Sequence, residues 1–283
     1  MLHRVLHSDV LGFWTSLCNK AQLIRVVFIT KQHLVDHLPI AINQSQRKFF
    51  MLLDHIVLFV DDLDDAIQTF SSFGFTVTPG GTNGPTHNAL IAFENETYIE
   101  LIALRTIRVR RLFKLLRSVG LIGLRRAAKR DLNTRLFSWF SGPQGFRDIC
   151  FRAPSLEAVK QDCQKKGYPL TPIIAFNRHR PDGITVSWYL AGTLDEEQPF
   201  FIEDKTPLHY RIPDGRARIH TNGALGITEL TTRTALNFSA ENVTTVTGPA
   251  NHRGKFSIGI KTSSSPQQLE IPSVYEATIR LIS

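Results

Sequence analysis

Two residues have the type and the setting to do chemistry. His55 follows Asp54 at the head of the short, β-branched apolar run Leu53–Val60, and Glu100 sits inside Tyr98-Ile99-Glu100-Leu101-Ile102. A carboxylate within such a strand is costly to bury unless a cation, a metal or a proton compensates it. A histidine beside a buried strand is on its own as readily a core residue bonded to backbone as a ligand; the pairing with Glu100 is what makes it a candidate. Next to them, Thr82–His87 is a Gly-containing loop leading into a strand. His87 is a candidate acid or base, since the unperturbed pKa of histidine lies near neutrality. Asn88 could donate into a cleft or simply satisfy the turn.

The elements that must carry these residues follow from pattern. Leu53–Val60 reads as a buried strand. Asp61-Asp62 caps a helix on Leu63, Ala66, Ile67, Phe70 and Phe73, which Gly74 ends. Phe75–Thr78 reads as a strand stopped by Pro79-Gly80-Gly81. Asn88–Phe93 and Thr97–Ala103 are strands joined by the turn Glu94-Asn95-Glu96.

The pattern then recurs at an offset of 93 residues, pairing His55 with Asp148, Leu63 with Leu156 and Gly74 with Gly167. The second copy has strand Phe146–Ala153, a helix through Leu156, Val159 and Cys163, and strand signals at Leu170–Ala175, Thr185–Ala191 and Phe200–Glu203. Asn177 to Gly183 reads as its hairpin turn, flanked by Arg178 and Arg180, which suit a carboxylate or phosphate as well as they suit a free surface. Internal repetition is an architectural signal: two βαβββ copies can pair their sheets around a cleft that neither makes alone. The second copy offers Asp148 in place of His55 and Glu203 in place of Glu100. One imidazole and three carboxylates suit Mn, Fe, Mg or Ni rather than a thiol-seeking metal. Pairing of Asp148 with Arg147 or Arg152, and of Glu203 with Lys205, is the competing reading.

Residues 53–232 resemble the glyoxalase-like branch of the vicinal oxygen chelate superfamily. The resemblance rests on Leu53-Asp54-His55, Thr78-Pro79-Gly80-Gly81, Thr86 to Ile91, Tyr98 to Ile102, Arg180-Pro181-Asp182-Gly183, Trp188, Pro199-Phe200-Phe201 and Asn222 to Gly226. It implies paired βαβββ modules, a divalent metal held by His55, Glu100, Asp148 and Glu203, and Arg180 and Trp188 contributing to the substrate cleft. The better-known members usually hold their metal with more histidine than this chain offers.

The 283 residues carry a net charge of +8. From Arg105 to Arg135 eleven basic residues face Asp131 alone, so that segment carries +10 and the rest −2. One basic insertion therefore explains the charge, and a nucleic-acid-binding surface is not needed. The insertion interleaves apolar and basic residues, as one or two amphipathic helices broken near Gly120 to Gly123. It reads as a lid with a solvated basic face, or as a segment docking on an anionic membrane surface. Residues 1–50 stand outside the repeat as a leader, either unstructured or a mitochondrial presequence. Cys18, Cys150 and Cys163 have no ligand-like spacing and read as buried thiols of a reducing compartment.

The expectation is an α+β chain divided as leader 1–50, first module 51–104, basic helical insertion 105–145, second module 146–220 and a partial third β-rich repeat 221–283 covering a sheet edge or serving a homodimer. Its function would be that of a metal-dependent lyase, isomerase or dioxygenase on a small oxygenated metabolite, with Glu100 and His87 moving protons and Asn88, Arg180 and Trp188 binding substrate. The alternatives are a non-catalytic small-molecule binding protein and a peripheral membrane protein. The expected location is the cytoplasm, with the mitochondrion as alternative.

Overall fold

The structure, a computed structural model, describes residues 50–120, 131–140, 142–180, 182–248 and 254–283. The expected leader with Cys18 and the middle of the basic insertion lie outside the described residues. The architecture is α+β. The first unit runs β1 (Leu52–Phe59), α1 (Leu63–Ser72), β2 (Thr78–Asn83), β3 (Thr86–Ala92) and β4 (Tyr98–Leu104). After α2 (Ile107–Ser118) and α3 (Leu132–Trp139) the second follows as β5 (Gly145–Arg152), α4 (Leu156–Lys165), β6 (Ile174–His179), β7 (Thr185–Gly192) and β8 (Phe200–Asp204). A one-turn helix α5 (Leu208–Arg211) leads to β9 (Ala224–Thr232), β10 (Thr244–Thr247), β11 (Phe256–Thr262), β12 (Gln267–Gln268) and β13 (Thr278–Ile282).

The two units share one eight-stranded sheet of order β2-β3-β4-β1-β5-β8-β7-β6, so the same order reads outward from either side of the central antiparallel pair β1–β5. Alternation sends one set of side chains to each face. On the outer face Ile56 and Leu58 of β1 and Val60 just after it join Ile149 and Phe151, the apolar stripes of α1 and α4, and the five-stranded sheet in one core. On the inner face Val57, Ile102, Cys150, Phe200, Ile202 and Leu190 meet Leu132 and Trp139 of α3. Helix α3 thus plugs the part of the inner face that belongs to the second unit.

Local chemistry explains the helix ends. Asp62 caps α1 by accepting from the backbone N–H groups of Asp64 and Asp65. Gly74 ends it at φ +83°, and a Cβ there would meet Thr221 Oγ1 at 2.8 Å, so both conformation and space require glycine.

Two stretches differ from the sequence reading. Pro79-Gly80-Gly81 do not stop a strand; they lie inside β2, with a register shift between Pro79 and Thr82. An edge strand tolerates proline, because its outward N–H has no ladder partner to lose. Asn177, Arg178 and His179 belong to β6 rather than to the hairpin turn, which places Arg178 on a sheet face. The stretch expected as a partial third repeat forms a separate five-stranded sheet of order β10-β9-β11-β13-β12. Its antiparallel pair β9–β11, flanked by parallel β10 and β13, reproduces the central arrangement of the large sheet.

Candidate functional site

The site grows from a bulge. The β1–β5 register shifts between Leu53 and His55, so Asp54 falls out of the ladder and His55 turns to the inner face; bulges commonly re-aim a side chain in this way. Asp54 is fully buried. Its Oδ1 accepts from His55 Nδ1 at 2.7 Å and from Arg211 Nη1 at 2.9 Å, and its Oδ2 from Arg211 Nη2 at 2.8 Å. Arg211 also donates to Asp204 through Nε (2.7 Å) and Nη2 (2.8 Å), and to the Tyr98 hydroxyl through Nη1 (2.7 Å). All five of its N–H donors are therefore spent. Burial alone would push the Asp54 carboxyl up. The Arg211 charge and the hydrogen bonds from His55 and Arg211 outweigh it and hold Asp54 well below the usual carboxylate range. An ionised Asp54 only accepts, so the proton between it and His55 sits on Nδ1, and Nε2 faces the cup. The ring stacks on Tyr98 at 4.6 Å.

His55 Nε2 lies 3.7 Å from Glu100 Oε2, beyond a direct hydrogen bond. Glu100 is held from its other side, where Oε1 accepts from Asn88 Nδ2 at 2.6 Å. Asn88 is oriented in turn by Gly81, whose N–H donates to Asn88 Oδ1 at 2.8 Å. A Cβ on Gly81 would stand 3.0 Å from Arg178 Cδ. Edge strands β2 and β6 therefore meet through Gly81 and Arg178, and the sheet curls into a cup with Glu100, 17 % exposed at its side chain, facing the hollow.

Of the expected residues, the structure brings together His55, Glu100 and Asn88, keeps Trp188 on the same inner face, and separates the others. His87 alternates with Asn88 and so faces away from the cup. Burial lowers its pKa, and the charges acting on it belong to Asp64, Arg110, Arg105 and Asp62, outside the cup. Arg180 lies on the hairpin, forked onto Asp182 at 3.1 and 2.6 Å and donating to the Tyr210 carbonyl. Trp188 faces inward, stacked on Phe176 with centroids 6.2 Å apart. Asp148 is saturated: Arg135 donates to it through Nε at 2.8 Å and Nη2 at 2.6 Å, Trp139 Nε1 at 2.8 Å and the Ile149 N–H at 2.9 Å. Glu203 points to the outer face, where it accepts from the Leu156 N–H at the start of α4 and from Lys205 Nζ.

The register explains the failure of Glu203. Val57 pairs with Glu100 in β4. Cys150, the repeat partner of Val57, pairs with Phe200 in β8. Phe200, not Glu203, therefore stands where the first unit has Glu100. Asp148 is bound to a fixed guanidinium that also lies over the Phe200 ring at 5.7 Å, so among the described residues neither ligand expected of the second unit, Asp148 or Glu203, is free for the cup. Asp54, His55 and Cys150 do offer ligand atoms within 4.8 Å of one another. Yet Arg211 occupies both Asp54 oxygens, and burial pushes the Cys150 thiol well up. The donor set does not fit the four-ligand divalent ion expected from the sequence, and two protein ligands, His55 Nε2 and Glu100 Oε2, are what remain.

Sequence reasoning missed Arg211 and Asp204; it named Arg178 as suited to a carboxylate but placed it on the turn rather than on β6. Arg211 lies in a polar connector outside the repeat and carries no local signal. A cleft of about 630 Å³ lined by Asp131, Thr134, Tyr168, Asp195 and Glu196 lies away from His55 and Glu100 and shares none of these groups.

The model of the glyoxalase-like domain matches residues 53–246, most of the chain. The chain belongs to the glyoxalase-like domain family. That family lies within the vicinal oxygen chelate superfamily, which includes metal-dependent enzymes. A hypothetical protein from Staphylococcus aureus shares this glyoxalase-like fold at 19 % identity and a TM-score of 0.59, over 82 % of this chain and 99 % of its own. A Mn(II)-bound glyoxalase from Novosphingobium aromaticivorans matches at 8 % identity and TM-score 0.41, over 81 % of each chain. An extradiol ring-cleaving dioxygenase from B. fuscum matches at 10 % identity and 0.39, over 83 % of this chain and 72 % of its own. No curated protein matches.

Proposed function

We propose that the cup is an acid–base site for moving a proton on a small oxygenated metabolite, in the manner of an isomerase or lyase. The observation that carries this reading is the approach of Glu100 Oε2 to His55 Nε2 at 3.7 Å with neither spent on the other. Each can engage a third group between them. Glu100, held by Asn88 and reachable from the hollow, takes a proton from a carbon next to a carbonyl, and the electron pair left behind moves onto the carbonyl oxygen. His55 Nε2 accepts that proton from Glu100, and ionised Asp54 stabilises the imidazolium that forms, as a buried carboxylate does behind a catalytic histidine. Return of the proton to another atom of the substrate completes an isomerisation. Positioned groups of this kind contribute about 10²–10⁴-fold. The test is hydrogen exchange in D₂O, with 2-oxo acids and hydroxyketones followed by NMR. The expected result is loss of the Cα–H signal with the wild-type chain and its retention with Glu100→Gln. Tight binding of such a compound without exchange would favour the alternative of a non-catalytic binding protein.

A second reading has its own observation. Helix α2 packs half-buried Phe113 against Phe137 at 4.6 Å, but Ile107 and Leu115 of the helix and Val119 just after it are each more than half accessible, among exposed Arg105, Arg108 and Arg111. Among the described residues no helix is long and apolar enough to cross a membrane. An apolar and basic outer face is suited to lying on an anionic bilayer. Co-sedimentation with phosphatidylserine vesicles that is lost on Leu115→Glu supports that docking, and equal recovery with neutral vesicles removes it.

A further inference from the structure

The cup holds one cation that the ring of contacts around Glu100 does not use. Arg178 is half-buried on β6, and no carboxylate among the described residues pairs with it. Its Nε is buried and has no hydrogen-bond partner. One Nη2 contact reaches the Arg211 carbonyl at 3.5 Å, the long limit of a hydrogen bond. The other arginines of this face are engaged: Arg211 on Asp54 and Asp204, Arg152 on Glu96 at 3.0 Å, and Arg135 on Asp148. A buried donor left unpaired costs free energy, so a chain that keeps one in a hollow has a use for it or a ligand that relieves it. The side chain is aimed, not loose. Its Cδ lies against the backbone of Gly81, where a Cβ would crowd it at 3.0 Å, and Gly81 orients Asn88 and through it Glu100. Burial lowers the Arg178 pKa, and the charges of Tyr98 and Glu100 oppose that shift. Beside it Phe176 and Trp188 form an aromatic wall.

We infer that Arg178 is the anion anchor of this site, and that the substrate is a small monocarboxylate acid whose carboxylate takes the guanidinium fork while the carbon beside its carbonyl meets Glu100. A single guanidinium, linked to Glu100 through Gly81 and Asn88, suits one negative charge; a phosphate dianion would meet Glu100 without a second free cation among the described residues of this face to offset it. The fork geometry of arginine matches a carboxylate through two parallel N–H groups. This identifies the substrate class of the proton-transfer site proposed above and rests on that reading, but its test needs no turnover.

The experiment is calorimetric titration of the full chain with oxamate, a monoanionic isostere of a 2-oxo acid, with neutral oxamide and inorganic phosphate alongside. Oxamate is expected to bind the wild type more tightly than either. Arg178→Met should weaken it about 30-fold or more, the loss of one charge-assisted contact. Arg178→Lys should recover part of the affinity, and Glu100→Gln should bind at least as well as wild type. Unfolding temperature checks that Arg178→Met folds. The inference is overturned if oxamate binds no better than oxamide, if Arg178→Met leaves its affinity unchanged, or if phosphate is preferred. Retained, Arg178-dependent oxamate binding together with absent hydrogen exchange would sink the catalytic reading and leave the anchor standing.

Discussion

Replacing Arg211 with methionine tests the electrostatic frame behind His55. The variant deletes five hydrogen bonds and leaves Asp54, fully buried, and Asp204, 14 % exposed at its side chain, without their cation. Removing one partner from a buried ion pair costs about 3–5 kcal/mol, because the remaining charge is uncompensated. For a unit of this size each kcal/mol moves the midpoint by about 2–4 °C, so Arg211→Met should melt at least 6 °C below wild type at pH 7. The pH dependence separates charge from lost packing. Arg211 holds the Asp54 carboxyl below its unfolded value, so the stability from this pair is fully present above that unfolded value, near 3.8, and is lost progressively as pH falls below it towards the much lower folded value. In the variant Asp54 gains a proton more readily. The gap between wild type and variant should therefore be widest at neutral pH and close as pH drops below about 4. Thermal or urea unfolding from pH 3.5 to 7.5 measures it. A shift under 2 °C at pH 7, or a gap constant across that range, would refute the assignment of Asp54 as an ionised carboxylate held by Arg211.

Other outcomes follow from the same coordinates. His55→Gln, which keeps bulk but removes the Asp54-backed Nε2, should slow hydrogen exchange by about 10²–10⁴-fold with unchanged unfolding. Elemental analysis of the purified full chain should find less than one equivalent of Mn, Fe, Mg or Ni; stoichiometric metal that disappears in His55→Ala would restore the expected metal centre. Arg135→Met should destabilise by about 3–5 kcal/mol in urea unfolding, because Asp148 is then buried without its partner. His220 is buried, accepts from the Thr76 N–H through Nδ1 and bonds the Ala92 carbonyl through Nε2. Burial lowers its pKa, so its contribution is intact above the unfolded value near 6.5 and fades as pH falls below it. His220→Gln should flatten that acid-side loss between pH 5 and 6.5.

The local pattern of the chain already specified much of the architecture. Short apolar runs, the Asp61-Asp62 cap, and Gly74 with its repeat partner Gly167 mark two βαβββ copies, because backbone propensity and capping act over a few residues. The same locality made Glu100 legible, since a carboxylate inside an apolar strand signals itself, and His55 became a candidate through its pairing with Glu100. What the chain alone did not decide was register and facing. Whether Phe200 or Glu203 stands opposite Cys150 depends on hydrogen bonds between strands far apart in sequence, and a shift in pairing flips a side chain to the other face. That is why Glu203 reads as a ligand in the sequence and caps a helix in the fold. His87 and Asn88 are adjacent in the chain yet face opposite sides, for the same reason. Arg135, from the insertion, takes Asp148, and Arg211, from a connector, takes Asp54. Such pairings are set by tertiary packing, because a guanidinium finds its carboxylate by proximity in space and leaves no periodic trace along the chain.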